Sequence, residues 1–119
     1  AVSIALLENK QPVLGAVYQP YADELFFAIK GCGATLNGEK ISVSAHPFDH
    51  ALTCFGTSPY HPALAERSMK LALEFLLQTA DIRRSGSAAL DLCYVASGRV
   101  NLFFEYQLSG CNIDDSAAS

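Results

Sequence analysis

Gly86-Ser87-Ala88-Ala89 is a run of small residues at the start of a helical pattern. The first amides of a helix have no internal partner and carry partial positive charge. Residues this small let a ligand hydroxyl or phosphate reach those amides. The same run also reads as a plain N-cap, Ser87, followed by packing alanines. Glu105 closes the apolar stretch Val100-Asn101-Leu102-Phe103-Phe104, and a carboxylate at a strand end either faces a cleft or is solvated. Asp114-Asp115-Ser116-Ala117-Ala118 sets paired carboxylates at another helix start, where they cap the helix or hold Mg²⁺, a cation that takes oxygen ligands. Arg83 and Arg84 stand just before the small run, as phosphate binders or as solvated side chains. His46, His50 and His61 lie among prolines and turns, and Pro47 argues against a ligand-bearing helix. There is no Ser-His-Asp order and no P-loop, and Gly31-Cys32-Gly33 lacks the further glycine of a dinucleotide fingerprint.

The elements that must position these residues follow from pattern and turn chemistry. Ala1 to Leu7, Val13 to Tyr18 and Glu24 to Lys30 read as strands, the first two as a hairpin across Glu8-Asn9-Lys10-Gln11, with Pro12 restarting the chain. Asn37-Gly38 marks a tight turn within Thr35 to Ile41, so residues 1–41 form an antiparallel meander. Ser42 to Asp49 is a linker. From residue 51 to 119 strands and helices alternate. Ala51 to Gly56 is a buried strand and Ser58 to Pro62 a turn. Pro62 to Gln78 is a helix whose apolar stripe carries Leu64, Met69, Leu71, Leu73, Phe75, Leu76 and Leu77. Asp81 to Arg84 is a short strand or connector. Ser87 to Ser97 is a second helix stopped by Gly98, and Val100 to Tyr106 another strand. This order predicts a layered α/β fold with a mixed sheet.

The chain has 119 residues, 50% of them hydrophobic and 17% charged, which suits an ordered domain and argues against disorder. A net charge of −4 without a basic run speaks against nucleic acid and anionic membranes as partners. An acidic chain that handles phosphate needs something to offset repulsion, and bound metal is the usual answer. The spacing of Cys32, Cys54, Cys93 and Cys111 fits neither CxxC nor a zinc knuckle. Cys54 and Cys93 sit in apolar segments and read as buried, reduced thiols, which points to a cytoplasmic setting. No apolar run has the length of a membrane span. Both ends of the chain read as cut through structure, so an internal fragment of a larger domain is expected.

Taken together, segments along the chain resemble the inositol monophosphatase family. They are Ala1-Val2-Ser3-Ile4-Ala5-Leu6 with Gly15-Ala16-Val17-Tyr18-Gln19-Pro20 and Asp23-Glu24-Leu25-Phe26; Gly31-Cys32-Gly33-Ala34-Thr35-Leu36-Asn37-Gly38-Glu39-Lys40-Ile41, similar to G-x-G-A-x-x-N-G; and Arg84-Ser85-Gly86-Ser87-Ala88-Ala89-Leu90-Asp91 through Gly98-Arg99-Val100 to Phe104-Glu105. Ser42 to Arg67 is the least distinctive part. The resemblance implies an α-β-α-β-α sandwich, incomplete here. It also implies Mg²⁺-dependent hydrolysis of a small phosphomonoester, such as inositol monophosphate or a related sugar phosphate.

On this resemblance Gly86, Ser87 and Ala88 lie beside the substrate ring, Glu105 binds a substrate hydroxyl, and Asp115 is a metal ligand. The family's W-D-x-A-A-G motif is altered, since the chain has no tryptophan. Matching D-x-A-A gives Asp115, with a short insertion after Glu105, whereas counting without a gap places Asn112 there. The family's G-E-E and D-P-x-D-G-T motifs are absent from the sequence. The chain alone is therefore expected to lack most metal ligands and activity, with no catalytic residue of its own and a phosphatase as its parent. A non-catalytic relative acting in binding or assembly is the alternative. Many relatives are dimers, and the strand pattern leaves monomer and homodimer open.

Overall fold

The computed structural model describes residues 1–108. Five strands form an antiparallel sheet in the order β1 (Val2–Glu8), β2 (Gln11–Gln19), β3 (Glu24–Ile29), β4 (Gly33–Leu36) and β5 (Glu39–Lys40). Local turn chemistry builds it. Asn9 and Lys10 take positive φ between β1 and β2, and Asn37 and Gly38 do so between β4 and β5, the backbone that a two-residue hairpin turn requires. The Asn37 side chain accepts from Leu25 N at 2.8 Å and donates to Asp23 O at 3.1 Å, tying that turn to the start of β3. The meander thus has five strands where the sequence reading named three. Pro12 lies inside β2 rather than ahead of it. It pairs with Leu7 beside a register shift at Leu6/Leu7, where a missing N–H is tolerated.

A second sheet is parallel and three-stranded, in the order β7 (Asp81–Arg83), β6 (Leu52–Phe55), β8 (Leu102–Phe104). The expected mixed sheet is therefore corrected to two separate sheets. Parallel neighbours need crossover connections, and the helices α1 (Ala65–Gln78) and α2 (Ala88–Ala96) supply them. Pro62–Leu64 forms a 3₁₀ turn ahead of α1. Strand β8 is shorter than expected. Val100 N still bonds back to Tyr94 O, and Asn101 is held by Leu52 through both its main chain and its side chain.

Helix α2 lies between the two sheets. Ser87 accepts from Leu90 N at its start. At its end Gly98, with φ of +74°, donates to Val95 O while Arg99 N reaches Tyr94 O, a Schellman closure that favours glycine. One side of α2 packs Ala89 and Cys93 against Val17 and Phe26 of the antiparallel sheet. Phe75 of α1 stacks on Phe104, which stacks on Phe55, so α1 covers the other face of the parallel sheet. The layers run helix, sheet, helix, sheet, as an α/β sandwich. Only part of the apolar stripe predicted for α1 is buried. Ser68 and Ala72 are enclosed, while Met69, Leu73, Leu76 and Leu77 are exposed. The outer face of the antiparallel sheet is likewise open, with Val2, Ile4, Leu6, Leu25 and Ile29 on it.

Candidate functional site

The strands β6 and β8 run in parallel, and their carboxyl ends stand beside the N-terminus of α2. Openings at the carboxyl ends of parallel strands are where ligands bind in α/β sheets. Here a cavity of about 210 Å³ is lined by Gly86, Ser87 and Ala88 from the helix start and by Glu105 from the end of β8. The shared hollow brings together Gly86, Ser87, Ala88 and Glu105, the predicted substrate-binding residues. Asp115, Asn112 and the rest of the closing motif lie outside the described residues.

Glu105 is held by the segment that follows β6. Ser58 N donates to Glu105 Oε1 at 3.0 Å, and the Ser58 hydroxyl lies 3.3 Å from the same oxygen. That hydroxyl donates to Gln107 O at 2.8 Å and accepts from Gln107 N at 3.1 Å. Gly56 N bonds to Phe104 O at 2.9 Å. A Cβ at Gly56 would fall on the Glu105 carboxylate, so the closeness of the two segments depends on glycine there. Ser58 is 2% exposed and has φ of +47°, a left-handed backbone that serine rarely adopts.

Asp91 forms part of the cavity wall, and its side chain is buried. Burial pushes its carboxyl above the usual aspartate range. The nearby charge of Glu105 adds to that, while the Ser85 hydroxyl and Cys54 thiol act in the opposite direction. Asp91 Oδ1 has no hydrogen-bond partner among the described residues. The Cys54 thiol is pushed up to about 11, first by burial and then by Asp91. Ser85 also shapes the helix start, its hydroxyl accepting from Ser87 N at 3.1 Å.

The two arginines separate. Arg84 lines the cavity, whereas Arg83 is engaged by Asp81 on β7. His61 reaches the cavity wall, and His50 lies beside Asp49 in solvent at 3.9 Å. Among the described residues no group of three or more His, Cys, Asp or Glu is placed to hold a metal ion. The donor set of residues 1–108 therefore does not fit Mg²⁺ by itself. What the arrangement offers is a helix N-terminus with small side chains, a carboxylate acceptor and an arginine cation around one small hollow.

Sequence reasoning missed Ser58, Gly56, Gln107 and the burial of Asp91. The Ser58–Glu105 contact spans 47 residues and leaves no local mark. Asp91 had a usable signal, as the only charged residue in the otherwise small and apolar segment Ala88–Ala96.

Comparison with known proteins gives a consistent result. The family model described as "Inositol monophosphatase family" matches residues 1–119. The protein named "Nus factor SuhB" from Xylella fastidiosa is 43% identical over 118 residues, covering 98% of this chain and 42% of that protein. "Inositol monophosphatase 2" of Solanum lycopersicum is 43% identical over 112 residues, covering 92% and 42%. The crystal structure of the extragenic suppressor protein suhB from Bartonella henselae superposes with a TM-score of 0.89 at 37% identity, covering 98% of this chain and 44% of that one. The chain thus spans about two fifths of the length of the curated relatives it matches.

Proposed function

The chain belongs to the inositol monophosphatase family, and from that premise we propose that it forms the hydroxyl-facing wall of an active site that hydrolyses a small phosphomonoester. Inositol monophosphate or a related sugar phosphate is the substrate class. The observation that carries this reading is the single hollow shared by the α2 N-terminus and Glu105.

In this reading the amides at the start of α2 receive a substrate oxygen, with small side chains at Gly86, Ser87 and Ala88 allowing close approach. Glu105, acting as an acceptor, receives a ring hydroxyl and orients the ring. Arg84 offsets the negative charge of the phosphate. Members of this family are generally Mg²⁺-dependent, and the metal, when bound, supplies charge stabilisation at the phosphate. Residues 1–108 gather no group of three or more ligand side chains for it. Asp115 is the proposed contribution from this chain, with the remainder supplied by a longer protein that carries this segment.

The test is phosphate release from inositol monophosphate by that whole protein with and without Mg²⁺. Activity lost in EDTA and in Asp115→Asn, with folding retained, supports the reading. Full activity of Asp115→Asn overturns the assignment of Asp115. A folded whole protein that releases no phosphate from any polyol or sugar phosphate overturns the enzymatic reading. It would favour a second one, in which the protein acts by binding or assembly, a role motivated by the name Nus factor carried by a relative this similar.

A further inference from the structure

We propose that Ser58 is a positioning residue for Glu105, fixing one carboxylate oxygen so that the other is presented to a substrate hydroxyl. This rests on the reading of Glu105 as the hydroxyl acceptor.

Ser58 grips Glu105 in two ways. Its main-chain N–H donates directly to Oε1 at 3.0 Å. Its hydroxyl exchanges hydrogen bonds with the main chain of Gln107, two residues further on, at 2.8 and 3.1 Å. Side chain and backbone of the 105–107 segment are thereby fixed from one buried residue. The positive φ of Ser58 fits this role, because a sparsely populated backbone persists only where its surroundings over-determine it. With Oε1 engaged, Oε2 remains. It lies over Gly56, where the missing side chain leaves it room. Among the described residues Oε2 has no hydrogen-bond partner, and both Glu105 and Gly56 line the cavity. An ionised carboxylate only accepts hydrogen bonds. Oε2 therefore takes a hydroxyl donor and repels a phosphate, which fixes the end of the substrate that faces this wall. The ligand class is a phosphate ester with a free hydroxyl beyond the ester carbon.

The experiment compares Ser58→Ala, Glu105→Gln and the double variant of the whole protein on two substrates. Inositol monophosphate has ring hydroxyls, and p-nitrophenyl phosphate has none. Ser58→Ala keeps the main-chain N–H but loses the hydroxyl's bonds to Gln107, and should raise KM for inositol monophosphate about three- to tenfold. KM for p-nitrophenyl phosphate should not follow it. The double variant should be no worse than Glu105→Gln alone, because the Ser58 hydroxyl acts on the substrate only through the Glu105 carboxylate. Equal losses on both substrates, or additive effects of the two changes, overturn the proposal. Should Ser58→Ala fail to fold, Ser58→Gly removes the same hydroxyl and accepts the positive φ without strain. Activity that Glu105→Gln leaves untouched refutes the reading of Glu105 itself. If neither substrate is hydrolysed, the proposed function fails, and positioning is read from a crystal structure of the serine variant. A displaced Glu105 carboxylate supports it, and an unmoved one overturns it.

Discussion

Arg99 and Glu24, 75 residues apart, form an ion pair that ties the segment after α2 to the first residue of β3. The same guanidinium lies 5.3 Å from the ring centre of Tyr94 and 5.8 Å from that of Phe26. It is thus a bolt between the helix and the antiparallel sheet. Arg99→Ala should lower stability by about 1–2 kcal/mol, from a half-exposed ion pair and the lost stacking, as measured by urea unfolding. The Arg99 hydrogen bonds hold the Glu24 carboxyl below its usual value of 4.5. A carboxyl depressed in the folded state adds stability above its unfolded value and loses it as pH falls through the folded one. Glu24→Gln should therefore flatten the acid limb of a stability profile below about pH 4.5 and change the neutral region by the loss of the pair. An unchanged acid limb would mean that the pair is absent in solution.

Asp91 should act with the opposite sign. Burial raises its carboxyl pKa in the folded state, with Glu105 adding to that effect. A raised carboxyl adds stability below its unfolded value of 3.8 and loses it as pH rises through the folded one. Where it is ionised, the buried side chain is thus a burden. Asp91→Asn should melt at the same or a higher temperature than the parent at pH 7, and that advantage should shrink as the pH is lowered toward 4. A variant that melts lower at every pH would show that the carboxylate itself is needed to hold Ser85 and Cys54.

The thiols should divide by location. Cys32 is exposed on the turn between β3 and β4, and Cys54 is buried with its thiol pushed up to about 11. Only a thiolate attacks an alkylating reagent. Iodoacetamide at pH 8 should modify Cys32 in the native protein and reach Cys54 only after denaturation, as read by peptide mass spectrometry. Rapid native labelling of Cys54 would show that α2 separates from the parallel sheet.

Much of this architecture could be read from the sequence where local chemistry determines it. Asn37-Gly38 and Gly98 announce a hairpin turn and a helix end, because each needs a backbone that few residues adopt. Ser87 announces a helix start by a different route, a side-chain oxygen that accepts from Leu90 N. Sheet partners carry no such local signal. Strands β2 and β6 both have apolar centres, and nothing in either says that one enters an antiparallel meander and the other a parallel sheet. The apolar stripe of α1 likewise shows that some face is buried without saying how much, and several of its leucines remain exposed. Half of the candidate wall was legible through its small residues and terminal carboxylate. The other half, Ser58 and Gly56, consists of ordinary residues whose meaning comes only from the strand end folded against them.

Gly56 offers the sharpest separation of folding from function. Its φ is not in the left-handed region, so alanine there introduces no backbone strain. The clash is instead with the Glu105 carboxylate, the movable end of a flexible side chain. Gly56→Ala should therefore swing that carboxylate aside and break its bond from Ser58, costing about 1–2 kcal/mol of stability while leaving the fold intact. In the whole protein its KM for inositol monophosphate should rise as far as in Glu105→Gln, with no further rise when the two changes are combined. A Gly56→Ala protein that keeps the parent KM would mean that the carboxylate does not face the substrate. One that unfolds outright would mean that the segment cannot yield, and that glycine is needed there for packing alone.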